Sequence, residues 1–417
     1  MKLLNTDKLN INRPSFDEVT NAYVPLEILV PIYSEDCALK IGDKINEGDL
    51  ISKDQNVNVH SSIPGIIKDF KKVYLPNGKL SKVCVIKMEG EFSFEGKKLV
   101  KSDWSLFSSS KIISLLEENG VHNSFFGYEG ISSILTDVDL SNENNTLGVR
   151  LFDYDPSCIT DSFLVKKYTE KVFEGAFILA KAINATNVLF FYSNEQKEYI
   201  KEFESFTVPE GVSFSMLQVH PQKYCFGTIQ EINSFIKKKN LFVNSVVDSV
   251  TCHSSYEAIV YCRPVVDVFV QVSGSLLGEE KFFKVKRGTP IKNLIEECGF
   301  CKTTPHKIVI NGLLKGTSIQ DSNTPITDYV KSISILSLKD IPSQKQVACI
   351  NCGDCYRICP EKIRPEILYK NYHFNTEIAP EVKRIAKNCT QCGRCNVVCP
   401  SRLPLYQTIS LICKEDQ

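Results

Sequence analysis

Near the C-terminus Cys349, Cys352, Cys355 and Cys359 are followed by Pro360, and the same spacing returns at Cys389, Cys392, Cys395, Cys399 and Pro400. Three thiolates at this spacing curl around one corner of an iron–sulfur cube, while the fourth, followed by proline, lies beyond their reach and ligates the neighbouring cube. The repeat therefore encodes two [4Fe–4S] clusters with crossed ligation. Cys349, Cys352, Cys355 and Cys399 are expected to hold the first, and Cys389, Cys392, Cys395 and Cys359 the second. A structural zinc site takes four ligands, usually as two cysteine pairs, and has no use for a repeated third cysteine with a trailing proline. The opening residues lack the apolar core of a signal peptide, which argues against a disulfide framework and for a reducing, cytosolic setting.

With 417 residues and roughly 150 residues per domain, the chain has room for about three or four domains. Lys plus Arg and Asp plus Glu both number 49, so no global field recruits nucleic acid. No run reaches the roughly 18 apolar residues of a membrane-spanning helix. The remaining cysteines, Cys37, Cys84, Cys158, Cys225, Cys252, Cys262, Cys298, Cys301 and Cys413, read mostly as small buried hydrophobes. Cys298 and Cys301 mimic a redox dithiol. However, Thr289 is placed to cap a helix starting at Pro290, on which Ile291, Leu294, Ile295 and Cys298 share a face before Gly299, so Cys298 is assigned to a core. His60, His122, His220, His253, His306 and His373 show no metal-ligand spacing, and neither G-x-G-x-x-G nor a P-loop occurs.

Local patterning divides the chain into four units. The stretch from Leu39 to Ile51 alternates apolar and polar residues around Gly42 and Gly48, and Pro64-Gly65 turns the chain into another strand. This resembles the hammerhead of biotinyl and lipoyl carrier domains. The expected hairpin tip, Asn56 to Val59, offers no lysine for a cofactor, so residues 1–100 read as a barrel-sandwich scaffold. Over 101–260, Phe173, Phe177 and Ala180 share a helical face before the continuous apolar strand Asn187–Tyr192, which predicts a parallel α/β sheet. Over 261–340, strands at Val265–Val272 and Lys281–Val285, the helix after Thr289, and strands at Lys307–Gly312 and Ser332–Leu336 follow the order of a β-grasp. The polar run Ser343 to Gln346 links this unit to the cluster domain, 341–417, where helices Pro365–Asn371 and Pro380–Lys387 begin with proline.

The order of these units resembles the RnfC family, the C component of the Rnf electron-transport complex, across nearly the whole chain. Further matches are the Lys-x-Gly-Asp-Lys-x-x-x-Gly turn from Lys40 to Gly48, His-Ser-x-x-Pro-Gly from His60 to Gly65, Pro-x-Lys-Tyr from Pro221 to Tyr224, and Tyr256-Glu257-Ala258. The resemblance implies a fold class that is multidomain α/β and α+β. Its parts are a lipoyl-like barrel-sandwich hybrid, an α/β domain like the flavin subunit of respiratory complex I, an SLBB-like β-grasp and a two-cluster ferredoxin-like helical domain. It also implies flavin mononucleotide (FMN), an NAD site, ferredoxin or a similar donor, membrane-subunit partners, and a peripheral place on the cytoplasmic face of the cell membrane.

Two signatures depart from that pattern. Where the family has Gly-x-Gly-Gly-Ala-x-Phe-Pro, this chain reads Asn119 to Gly130 without paired glycines, and it places Phe125 and Phe126 there. Small residues let backbone amides approach a phosphate, and bulky rings take that space. The family's Glu-Cys-Glu-Pro-Tyr becomes Asp153-Tyr154-Asp155-Pro156-Ser157, followed by Thr160-Asp161, and a double glycine shrinks to Gly227-Thr228. Asp153 and Asp155 are the residual candidates for cofactor contacts, and flavin and NAD binding are expected to be lost or weakened. The expected function is electron transfer through two clusters in an Rnf-type ion-translocating ferredoxin:NAD oxidoreductase. The alternatives are a stand-alone flavin-dependent NADH oxidoreductase, like the cobalamin reductases, and a docking module with structural clusters.

Overall fold

The computed structural model describes residues 13–33, 38–53, 57–125, 130–142, 144–219, 229–299, 303–341, 345–375 and 377–414. Cys37, Asn56, Phe126, His220, Pro221–Tyr224, Cys225, Gly227-Thr228, Cys301 and Ser343-Gln344 therefore lie outside the described residues.

The chain starts with β1 (Thr20–Asn21), β2 (Glu27–Ile32), β3 (Lys44–Ile45), β4 (Leu50–Lys53), β5 (Asn58–His60), β6 (Gly65–Tyr74) and β7 (Leu80–Met88). β2-β7-β6-β3 form an antiparallel sheet, and β4 pairs with β5. Ile28, Val30, Ile63, Ile67, Cys84 and Ile86 fill the core between them. Gly65 is required by close approach, because a Cβ there would stand 2.1 Å from the Lys87 carbonyl oxygen. Val57, Asn58 and Val59, expected near an exposed tip, are buried. The Asn58 amide faces the Glu118 carbonyl.

The second unit comprises α1 (Ser109–Glu118), α2 (Ile131–Thr136), β8 (Asn145–Arg150), α3 (Thr160–Lys167), α4 (Thr169–Ala182), β9 (Ala185–Tyr192), β10 (Ser213–Gln218), α5 (Ile229–Lys237), β11 (Ser245–Asp248) and α6 (Ser249–Val260). Its sheet, β10-β9-β8-β11, is parallel throughout. Side chains alternate across the central strand. Val188 and Phe190 join the core under α1, α4 and α6, while Leu189 and Phe191 join the core with Ile232 and Ile236 of α5. Phe173, Phe177 and Ala180 lie in the first of these cores, as their periodicity predicts.

There follow β12 (Asp267–Ser273), β13 (Lys281–Lys286), α7 (Ile291–Glu297), β14 (Lys307–Ile310), β15 (Thr317–Ile319) and β16 (Ser332–Leu336). Together with β1 they form a six-stranded sheet, β1-β13-β12-β16-β14-β15, whose central β12–β16 pair is parallel. Several boundaries differ from expectation, and three have a visible cause. α7 begins at Ile291 because Pro290 keeps an extended ψ of 139° as its N-cap, and the Thr289 hydroxyl donates back to the Lys286 carbonyl. β12 begins at Asp267, since the Val265 amide donates to the Asn119 carbonyl rather than to a strand. β14 ends at Ile310, where Asn311 and Gly312 turn to φ of 63° and 95°. Cys298 is buried in the sheet's core, as expected.

The C-terminal unit is helical, with α8 (Asp354–Ile358), α9 (Pro365–Phe374), α10 (Pro380–Lys387), α11 (Arg394–Val398) and α12 (Leu405–Lys414). Proline stands at the first position of α9 and α10. α9 runs past the expected Asn371 to Phe374, and Leu368 shares an apolar core with Ile409 and Ile412 of α12. The protein is thus a mixed α/β multidomain chain with a parallel sheet and a C-terminal ferredoxin-like unit.

Candidate iron–sulfur centre and the adjoining cavity

The two cysteine loops repeat in backbone as well as in sequence. Asn351 and Gln391 adopt φ of 56° and 54°, and Gly353 and Gly393 adopt 75° and 70°. Two left-handed residues per loop bend the chain tightly before α8 and α11, at a conformation glycine accepts without Cβ strain. Cys359 and Cys399 then cap the ends of those short helices.

Cys349, Cys352, Cys355 and Cys399 line one cavity, bounded by Glu366, Leu403 and Leu405. In the other set Cys359 and Cys389 share an apolar core, and Cys389, Cys392 and Cys359 all lie close enough to act electrostatically on Cys395. Cys395 also borders the apolar cluster of Cys349, Cys355 and Cys399, so the sets are adjacent. Backbone amides point at sulfur: Gln391 N donates to Cys389 Sγ at 3.3 Å, and Leu403 N to Cys399 Sγ at 3.5 Å. Such bonds stabilise thiolates and tune cluster potentials. Among the described residues, no three His, Cys, Asp or Glu side chains converge on a single metal ion. The first set of thiols instead lines a common cavity, and four cysteine sulfurs are the donor set that a four-iron cluster takes.

Burial pushes the Cys389 thiol up to about 12. Burial, followed by the hydrogen bond to Glu366, does the same for Cys355. Cys355 Sγ lies 3.2 Å from Glu366 Oε2, whose carboxylate also pairs with Arg364 at 2.8 Å. The unligated thiols are therefore neutral, and cluster assembly must displace their protons.

A second cavity, of about 220 Å³, opens at the carboxyl end of β8 and reaches Gln391 and Tyr406 of the cluster unit. The Arg150 guanidinium lies between the rings of Phe125, at 4.3 Å, and Tyr154, at 5.4 Å. It pairs with Asp161 at 3.2 Å and Asp248 at 3.7 Å. Lys331 enters from the six-stranded sheet and bonds both carboxylates. Against the cost of burial, Lys331 and Arg150 hold Asp248 well below the usual carboxylate range, whereas burial raises Asp161 to about 6.

Asp153 and Asp155 both line this cavity, and their oxygens are engaged within the protein. Asp153 accepts from the Asp161 and Ser162 amides at 2.9 and 3.0 Å, capping the first turn of α3. Asp155 accepts from the Ser157 amide at 2.9 Å and the Leu314 amide at 3.2 Å. Phe125 lines the same space, while Phe126 lies outside the described residues. Sequence reading missed Arg150, Asp248, Lys331 and Glu366. A charged residue ending an apolar parallel strand was the available signal for the first two, and Lys331 and Glu366 carried none.

Paired left-handed loops with interleaved sulfurs define an iron–sulfur protein of the two-cluster ferredoxin type, carried on an α/β body. A family model described as a 4Fe-4S dicluster domain matches residues 348–403. The chain is similar, at modest identity, to curated proteins named as the C component of ion-translocating oxidoreductase complexes. It is 24% identical over 236 residues to the C component of the ion-translocating oxidoreductase complex of Rhodobacter capsulatus, covering 55% of this chain and 45% of that one. To the C component of the proton-translocating ferredoxin:NAD(+) oxidoreductase complex of Clostridium ljungdahlii it is 22% identical over 380 residues, covering 87% and 81%. The corresponding component from Serratia proteamaculans is 24% identical over 367 residues, covering 84% of this chain and 51% of that one. The chain thus spans about half the length of several curated relatives it matches. Among solved structures, an NAD+-reducing [NiFe]-hydrogenase in its H2-reduced state aligns with a TM-score of 0.47 and 11% identity, over 69% of this chain and 52% of that one. Among the described residues no helix is long and apolar enough to cross a membrane.

Proposed function

We propose that this chain is an electron-transfer subunit of an Rnf-type ion-translocating ferredoxin:NAD oxidoreductase, docked on membrane partners at the cytoplasmic face. The observation that carries this reading is the interleaving of the two cysteine sets, Cys349, Cys352, Cys355 and Cys399 beside Cys389, Cys392, Cys395 and Cys359. When bound, each cluster supplies reversible one-electron chemistry. The chain's own residues shape that chemistry: amides of Gln391 and Leu403 hydrogen-bond sulfur, and Leu403, Leu405 and Tyr369 keep water from it.

The finer architecture belongs to the same proposal. Residues 1–100 form a lipoyl-like scaffold, 101–260 a degenerate flavin-domain fold, 261–340 an SLBB-like β-grasp and 341–417 the cluster domain. The buried Val57–Val59 segment supports a scaffold role, since a carrier tip must project. The charge lattice of Arg150, Asp161, Asp248 and Lys331, capped by Phe125, supports loss or weakening of FMN and NAD binding, because every one of those charges has a partner inside the protein.

Anaerobic redox titration followed by electron paramagnetic resonance tests the relay. Two centres that reduce and reoxidise reversibly near ferredoxin potentials are expected; clusters that cannot be cycled would make them structural. Flavin released on denaturation measures the second part, and a stoichiometric yield would restore the NADH oxidoreductase reading.

A further inference from the structure

The repeat in the cluster unit extends beyond its cysteines. α9 starts ten residues after Cys355 and α12 ten residues after Cys395, and each helix is ten residues long. The second residue of α9 is Glu366, and the second residue of α12 is Tyr406. Each returns to the sulfurs of its own half. Glu366 Oε2 lies 3.2 Å from Cys355 Sγ, and the Tyr406 phenol is near enough for Cys389 and Cys395 to act on it electrostatically. The two halves therefore set a carboxylate against one group of sulfurs and a phenol against the other.

Glu366 is only 6% exposed. Its other oxygen, Oε1, accepts from Arg364 Nε at 2.9 Å and pairs with Arg364 Nη2 at 2.8 Å. A guanidinium held in this way keeps the carboxyl ionised. The Arg364 side chain is itself 59% exposed, so water screens its charge more than that of the buried carboxylate. In the unligated chain the Cys355 thiol donates to Oε2. Ligation removes that proton, and the carboxylate then faces a thiolate with no hydrogen between them.

Reduction of a [4Fe–4S] cluster takes one electron from the donor and makes the cluster one unit more negative, with no bond made or broken. A fixed anion beside a ligating sulfur opposes that added charge, most strongly where burial keeps the local dielectric low. We propose that Glu366 holds down the reduction potential of the cluster carried by Cys349, Cys352, Cys355 and Cys399. It acts through the Cys355 sulfur, as a positioning residue rather than a ligand. Water at the exposed Cys352 works the other way, since it solvates the added charge, and Glu366 offsets it. Tyr406, uncharged at neutral pH, imposes no such penalty on the second cluster. The carboxylate thus biases an electron shared by the pair toward the cluster of Cys389, Cys392, Cys395 and Cys359. The inference rests on the relay reading and adds the residue that makes its two centres unequal.

The test is an anaerobic redox titration of the full cluster-loaded chain at about pH 8, well above the usual carboxylate range. Electron paramagnetic resonance follows each centre, and iron is quantified on the same samples. Glu366→Gln keeps the shape and removes the charge, so it should raise the midpoint potential of one centre and leave the other in place, with both still loaded. The centre that moves should be the one that Cys352→Ala abolishes. Glu366→Asp restores the charge and should return the potential most of the way to wild type. Arg364→Gln, at an exposed side chain, unmasks the carboxylate and should move the same centre to a lower potential; it also reads the charge should Glu366→Gln fail to load iron. Potentials that ignore both substitutions, shifts of the same sign in both, or two centres moving together would overturn the inference. Centres that cannot be cycled in the wild-type protein would instead refute the relay reading.

Discussion

Lys331 Nζ lies 2.6 Å from Asp248 Oδ2 and binds the six-stranded sheet to the carboxyl end of the parallel sheet. Asp161 Oδ2 lies 3.0 Å from the same ammonium, and Arg150 completes a lattice whose carboxylates are almost wholly buried. Asp248 also caps α6 through the Thr251 amide at 3.0 Å. Burial makes removal of one partner costlier than the pair is worth, because the other charges stay behind unpaired. Lys331→Met should therefore destabilise the protein by about 3–5 kcal/mol, read from the urea midpoint. Adding Asp161→Asn should recover part of that loss. A midpoint unmoved by Lys331→Met would show that the lattice is solvated.

Two buried histidines set the acid limit. His253 sits between the rings of Tyr168 and Phe269, with centroids at 4.9 and 5.1 Å, and burial lowers it to about 4. Burial and then Arg287 lower His60 to about 4 as well. An imidazole whose folded pKa is depressed contributes stability that is complete above the unfolded value of 6.5 and is lost as pH falls toward 4. Each contributes about 3 kcal/mol above pH 6.5, all of it lost once the folded imidazole is protonated. Asp161 acts in the opposite sense: its raised folded pKa stabilises at low pH, and that contribution fades as pH rises from 3.8 through about 6. Melting temperature should fall on acidification through this window. His253→Phe should flatten the slope and Asp161→Asn should steepen it. Identical slopes in all three proteins would refute the assignment.

Much of this arrangement was readable in advance wherever the determinant was local. Cysteine spacing brings the three leading thiols of each loop near one another, because bond geometry and two left-handed residues decide where a three-residue step leads. The strand at Val188–Phe191 and the helical face of Phe173 and Phe177 were legible because periodicity records burial. Pairings between distant segments were not. Nothing near Thr20 announces that β1 will leave its neighbours to run parallel to β13. Lys331 precedes an ordinary strand, and only tertiary packing brings it to Asp248, 83 residues away in sequence. Pro290 illustrates a smaller failure: its fixed φ suits either the cap or the first turn, and the extended ψ that decided for the cap is imposed by its bridge to Pro325.

Arg394 and Glu231 join the second cysteine loop to α5, with side chains only 12% and 7% exposed. That contact fixes the cluster unit against the parallel-sheet unit. A double-mutant cycle with Arg394→Ala and Glu231→Ala should give a coupling of about 1–3 kcal/mol. Either single variant should also speed proteolytic release of the C-terminal unit. Additive effects, with unchanged cleavage, would mean the units are held elsewhere.

The crossed assignment of the cysteines makes a prediction that loop-by-loop ligation does not. If Cys399 serves the cavity lined by Cys349, Cys352 and Cys355, then Cys399→Ala should remove about four of the roughly eight irons that two [4Fe–4S] centres contain. Adding Cys352→Ala should then cost little further iron, because both residues serve one cluster. Adding Cys392→Ala instead should strip the remainder, because it attacks the other. Ligation confined within each loop reverses these outcomes, with Cys399→Ala and Cys392→Ala redundant and Cys399→Ala and Cys352→Ala cumulative. Iron and sulfide quantitation on the three anaerobically purified variants therefore distinguishes the two wirings without reference to activity, partner or bound flavin.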